Sequence, residues 1–264
     1  MIKKQPMSEH TVMIPKIAKY NFLAEPFHCD LTHHLFMGHL GNHLLNAADM
    51  HSTERGFGMN YLNPIHKTWV LSRLAIEMYA MPRQYERFSV ETWVEGAMRF
   101  FTQRNFRIAD EQGTALGYGR SVWAMIDTDD RKPQDILAIR DGAINDWIET
   151  GYDCPIAKAG RVKMGENCEK VRTIDTYYHD VDVNGHINSI KYIEHILDLF
   201  SPAYYQEHRI SRLDVAYVAE SHAGEPLTLY MERLAEEDFN VKIVKESGTE
   251  VVEVCRCNLI FEKI

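Results

Sequence analysis

The stretch Asp180, Val181, Asp182, Val183, Asn184, Gly185, His186, Ile187, Asn188 gathers carboxylate, amide and imidazole side chains at the entry to an amphipathic segment. An extended approach would place Asp180, Asp182 and Asn184 on one face, with His186 beside the positive end of the helix that follows. There a carboxylate, an amide and an imidazole would converge where backbone amides can stabilise negative charge developing on a carbonyl oxygen. Two plainer readings compete. Asp-x-Asp-x-Asn-Gly-x-Ile matches the start of a calcium-binding EF-hand loop, but the twelfth position, where a bidentate Glu is needed, holds Lys191. A set of polar caps for the helix start accounts for part of the pattern, not for its density.

A second polar cluster, His28, Cys29, Asp30, His33, His34, His39, His43 and His51, crowds the N-terminal half. His39 and His43 are four apart, as on one edge of a metal site, but no Glu accompanies them in a metalloprotease-like pattern and no third ligand has convincing spacing. Neither a metal nor another cofactor is expected. The five cysteines are an odd number without a Cys-x-x-Cys pair. Cys255 and Cys257 would share one face of a strand as small buried hydrophobes.

The elements that must position these residues occur twice. Ser72, Arg73, Leu74 recur as Ser211, Arg212, Leu213, and the register runs without a gap to Glu86, Phe88, Ser89, Val90 against Glu225, Leu227, Thr228, Leu229. Residues 108–114 match 243–249 after an insertion, and Gly38, His39, Leu40 echo Gly185, His186, Ile187. Two copies of one unit are the simplest reading. In the second copy, Ile190, Ile193, Ile196, Leu197 and Phe200 form the apolar stripe of a helix over 188–200, which Pro202 helps end. Strands are predicted over 210–220, 226–234, 239–245 and 250–261, with a hairpin turn at Ser247 and Gly248. In the first copy a helix near 40–50 precedes strands over 68–79, 88–94, 102–109 and 116–126. The fold class is therefore α+β, each unit a helix with an antiparallel sheet that must cover it. This gives an N-terminal domain over 1–127, a linker over 128–168 with a helix around 139–149, and a C-terminal domain over 169–264.

At 264 residues, 45% hydrophobic and 25% charged, the chain has an ordinary globular composition. It holds no apolar run of membrane-spanning length, and no apolar signal core follows Lys3 and Lys4, so a cytoplasmic protein without membrane attachment is expected. Its net charge of −9 argues against nucleic acid as a partner.

On these motifs the chain resembles the acyl-acyl-carrier-protein (acyl-ACP) thioesterases, best known from plant plastids. Asp182, Asn184 and His186, continuing through Asn188, Lys191, Tyr192 and Ile193, follow that family's Asp-x-Asn-x-His signature. Gly56-Phe57-Gly58, Trp69 to Arg73, and Glu91 to Val94 look like its first-copy motifs. The resemblance implies tandem hotdog domains, each a sheet wrapped around a long helix. It also implies a catalytic set of Asp182, Asn184, His186 and Glu220 in the C-terminal copy. Acyl carrier protein bearing a fatty acyl chain would be the partner and substrate. Because that carrier is acidic, docking needs a local basic patch, for which Lys191, Arg209 and Arg212 are candidates.

Where many plant members carry Cys after the Glu, a candidate nucleophile, this chain has Ser221, read as a turn residue ahead of a replacement nucleophile. The expected mechanism is a water activated by Glu220, aligned by His186 and Asn184, with Asp182 fixing the network. Aligning the two copies puts Met81 opposite Glu220, Leu35 and Met37 opposite Asp182 and Asn184, and His39 opposite His186. The first copy then reads as a degenerate half that holds the acyl chain. An acyl-CoA thioesterase and a non-catalytic acyl-binding hotdog protein are the alternatives. Oligomeric state stays open, a homodimer of tandem chains among the options.

Overall fold

The computed structural model describes residues 14–165, 167–247 and 250–264. Alternating apolar positions produce ten strands, and short polar turns make successive strands antiparallel. The first half contains β1 (Ala18–Leu23), a long helix α1 (Met37–Glu54), the single turn α2 (Met59–Leu62), and then β2 (Lys67–Met78), β3 (Arg87–Ala97), β4 (Phe101–Asp110) and β5 (Ala115–Asp127). The second half contains β6 (Glu169–Ile174), α3 (Ser189–Leu197), α4 (Pro202–Glu207), β7 (His208–Tyr217), β8 (Leu227–Ala235), β9 (Asp238–Ser247) and β10 (Glu250–Lys263).

All ten strands form one sheet in the order β1-β3-β4-β5-β2-β7-β10-β9-β8-β6. It joins through β2 and β7, with Ala75 opposite Asp214 and Glu77 opposite Arg212. Ala75 and Asp214 are counterparts in the sequence repeat, so the central pair is a residue facing its own copy, the mark of a two-fold relation between halves. Arg212 reinforces the seam with ion pairs to Glu77 at 2.7 Å and Asp214 at 2.6 Å. Two sheets that would each have an exposed edge thus cover one another's.

The helices lie against the concave face of this sheet, giving the tandem hotdog architecture. Leu40 and Leu44 of α1, Ile190, Ile193 and Ile196 of α3, and Leu74, Ile76, Leu213 and Val215 of the joining strands share one buried core. The helices pass closely at Gly41, where a Cβ would sit 2.7 Å from Cδ1 of Ile190 and would require that side chain to shift. Cys255 and Cys257 are buried on the sheet as expected, and burial pushes both thiols up from their ordinary range.

Several sequence expectations shift. β1 was not anticipated: it is a short edge strand with only a partial apolar alternation. The helix expected over 188–200 ends at Leu197, and Pro202, rather than merely stopping it, starts α4, where a missing N–H costs nothing. The helix expected around 139–149 is instead a series of 3-10 turns over Ile136–Trp147, interrupted by left-handed backbone at Arg140, Asp141 and Gly142. The hairpin expected at Ser247 and Gly248 lies in part outside the described residues. No described helix is long and apolar enough to cross a membrane.

Candidate active site

The Asp182 turn is built by its own side chain. The Asp182 carboxylate accepts from the backbone N–H of Asn184 at 2.8 Å and lies 3.5 Å from that of His186. The Asp182 N–H donates to the His186 carbonyl, and Gly185 N–H to the Asp182 carbonyl. Gly185 closes the loop at φ 79°, in the left-handed region that favours glycine. Asn188 then caps α3, its side chain accepting from the Ile190 N–H at 2.8 Å. The capping reading and the functional one are thus satisfied by different residues of one segment. Asp180 does not join Asp182 and Asn184 on a common face. It ends a 3-10 turn, 1% exposed, accepts from the Tyr177 N–H, and sits 3.4 Å from the His195 imidazole.

Glu220 arrives from the other side, in the loop three residues beyond the end of β7 instead of on the strand. One carboxylate oxygen faces His186 Nε2 at 3.5 Å. The other is ion-paired with Arg131, which reaches across from the turn after β5. A His–carboxylate contact of this length is typical of a free enzyme site, where such contacts tighten on substrate binding. His222 stacks edge-on to His186 at 4.9 Å. Asp182, Asn184, His186 and Glu220 therefore line one cavity of about 1580 Å³. That cavity continues into the first half, past Leu45 of α1, Leu71 of β2 and Trp123 of β5. Asp49 and Arg104 also line it. Burial raises the Asp49 carboxyl and lowers the Arg104 guanidinium, held by Thr92 and Ser52, to about 9.

Ser221 takes no part. It is 0% exposed and hydrogen-bonded to the Tyr192 hydroxyl, while its carbonyl accepts from the Ile187 N–H at 2.8 Å. Burial pushes that phenol up to about 12, so it stays protonated. Ser221 is a buried fastening between loop and helix, neither nucleophile nor exposed turn residue. Arg131 was the residue sequence reasoning missed as a site member. The charged turn containing it was visible, but nothing local says that a φ of 60° aims it across the halves.

The structure overturns part of the alignment of the two copies. Met81 does stand opposite Glu220: Leu35 N–H donates to Pro82 just as Ile187 N–H donates to Ser221, and Tyr85 (φ 69°) matches Gly224 (φ 86°). The helix entry aligns differently. Asp30 accepts from the N–H of Thr32 at 2.8 Å and of His34 at 3.3 Å, its own N–H donates to the His34 carbonyl, and His33 holds the left-handed position at φ 62°. The partners of Asp182, Asn184 and His186 are therefore Asp30, Thr32 and His34, not Leu35, Met37 and His39. The shared Gly-His pair misled because the left-handed position is Gly in one copy and His in the other. His39 lies within α1 and stacks on His28 at 4.1 Å, while His43 packs 4.4 Å from Phe22, where burial lowers it to about 4.

The anticipated basic patch is also redirected. Lys191 is paired with Glu194 at 2.6 Å, Arg209 with Glu262, and Arg212 with the strand seam. Lys191 and Arg209 line a different cavity.

Residues 15–139 match the family model for the acyl-ACP thioesterase N-terminal domain, and residues 165–262 match that for the C-terminal domain. A solved acyl-ACP thioesterase from Bacteroides thetaiotaomicron is 51% identical, with TM-score 0.86 over 94% of this chain and 98% of that one. The 12:0-ACP thioesterase of Umbellularia californica shares the fold at 17% identity, with TM-score 0.81 over 96% of this chain and 99% of that one. The chloroplastic oleoyl-acyl carrier protein thioesterase of Coriandrum sativum is 23% identical over 79% of this chain, which spans 61% of that relative's length.

Proposed function

The chain belongs to the acyl-ACP thioesterase family, and we propose that it hydrolyses the thioester of a fatty acyl chain carried by acyl carrier protein, releasing the fatty acid and the carrier thiol. The observation that carries this reading is that His186 and Glu220 face each other in a cavity that also takes apolar side chains, Leu45, Leu71 and Trp123, from the other half of the molecule.

Hydrolysis needs a water made nucleophilic and a carbonyl carbon made electrophilic. Glu220 accepts the proton of the attacking water, with His186 and Arg131 holding its two oxygens in place. Oxygen–carbon bond formation leaves negative charge on the former carbonyl oxygen. The exposed Asn184 side chain, which lines the cavity, can donate to it. When the carbon–sulfur bond breaks, the proton taken from water goes to the leaving sulfur, so the products are a carboxylic acid and a thiol. What supports Glu220 over Asp182 as base is that Glu220 faces the His186 imidazole directly, whereas the Asp182 carboxylate holds the backbone of its own turn through one oxygen. Asp182 then positions His186 and Asn184 without taking the proton. The acyl chain lies in the first half, along Leu45, Leu71 and Trp123.

The test is release of free thiol from acyl carrier protein loaded with a series of chain lengths, beside the same chains on coenzyme A. The proposal expects carrier-linked substrates to be preferred and His186→Ala to lower kcat by about 10²- to 10⁴-fold. Equal or better turnover of the coenzyme A thioesters would replace the carrier with coenzyme A as the partner.

A further inference from the structure

The two-fold relation that pairs Asp182 with Asp30 also places a second cavity, of about 1300 Å³, at the Asp30 turn. The halves exchange roles there. The Asp30–His34 turn and the start of α1 supply one wall, and α3 with the start of β7 supplies the other. Leu35, Met37, Met81, Leu197 and Ile210 give it an apolar interior.

We infer that this cavity binds an aliphatic carboxylate and does not cleave thioesters. The choice of an aliphatic ligand rests on the proposed function of its counterpart; the rest follows from the differences between the two. At the position of Glu220 stands Met81, which cannot accept a proton from water. The imidazole of His34 is tied back to the Thr32 hydroxyl at 3.0 Å and makes no ion pair with a carboxylate among the described residues. Asp30 is spent on its own turn, and Glu194 is neutralised by Lys191. A thioester bound at this turn meets no counterpart of the proposed base Glu220.

A carboxylate, by contrast, meets less repulsion here than beside Glu220. Against Asp198 the lining sets Arg83 and Arg172, while Arg209 and Lys263 are ion-paired with Glu262 and with Glu236 and Glu237. Arg83 replaces His222 of the other copy. Its backbone N–H donates to Glu86, while its guanidinium makes no ion pair among the described residues. A guanidinium at the rim of an apolar cavity is suited to a carboxylate head with an alkyl tail.

Calorimetric titration of decanoate into the full-length chain tests this. The inference expects two carboxylates bound per wild-type chain. Met81→Glu places an anion in the second cavity, and Arg83→Glu does so at its exposed rim without disturbing the core. Each should weaken one of the two sites about tenfold or more, the scale of a lost charge-assisted hydrogen bond. Neither should change thioester turnover by more than about twofold, since neither residue touches the reacting atoms. One carboxylate or none per wild-type chain, or two sites indifferent to both variants, would overturn the inference. If Glu220→Gln keeps full turnover while both carboxylates still bind, the proposed reaction falls and this site stands.

Discussion

The two halves of this protein contain the same turn, made by the same hydrogen bonds, and among the described residues only the second sets a carboxylate from a separate loop against its histidine. Asp30 and Asp182 each accept from the amides two and four residues on, and each turn leads through a histidine into a helix. The difference is a carboxylate at Glu220 against a thioether at Met81, and an amide at Asn184 against a hydroxyl at Thr32. The Asp-His turn is therefore structural in the first instance. In the proposed reaction its chemistry depends on what a separate loop brings opposite the imidazole.

The contrast predicts unequal responses to matched substitutions. The largest is in the loop: Glu220→Gln should lower kcat by about 10²- to 10⁴-fold in a thiol-release assay, whereas Met81→Gln should leave it near wild type. Comparable losses from both would mean that the halves share one reaction. Stability should be symmetric where chemistry is not. Leu74→Ala and Leu213→Ala, at repeat-related and fully buried positions of the joining strands, should each cost about 2–5 kcal/mol in urea unfolding. Strongly unequal costs would show that one half folds as a scaffold for the other.

Smaller effects probe the turn itself. Gly185→Ala forces a Cβ into left-handed backbone and should cost roughly 1–2 kcal/mol, while His33→Gly should relieve the same conformation in the first copy. Smallest is the cap: Asn188→Ala should cost about 1 kcal/mol, and Phe36→Asn, at the uncapped start of α1, should recover up to that amount. Thermal melts of each pair read the sign directly.

Much of this was legible in the sequence because the repeat is strongest where packing is tightest. Ser72-Arg73-Leu74 and Ser211-Arg212-Leu213 lie on the two strands that meet at the two-fold seam, and their gapless register carries correctly to Met81 and Glu220. The helix entry was misregistered because its constraint is a backbone conformation, which Gly185 and His33 satisfy equally, and the hydrogen-bonding Asp is the only other fixed point. Arg131 was illegible for a different reason. Its partner Glu220 is 89 residues away and reached through the tertiary arrangement alone. The same holds for Asp180, whose alternation with Asp182 is broken by a 3-10 turn that buries it against α3.

The central claim, one turn used twice and one chemistry used once, is tested most directly by two double variants assayed on one carrier-linked thioester. Asp30→Asn with His34→Ala removes the first-half pair, and Asp182→Asn with His186→Ala removes its counterpart. With folding verified by circular dichroism, the first should keep kcat within about twofold of wild type and the second should lose about 10²-fold or more. Loss of turnover in the first, or its survival in the second, would contradict the account.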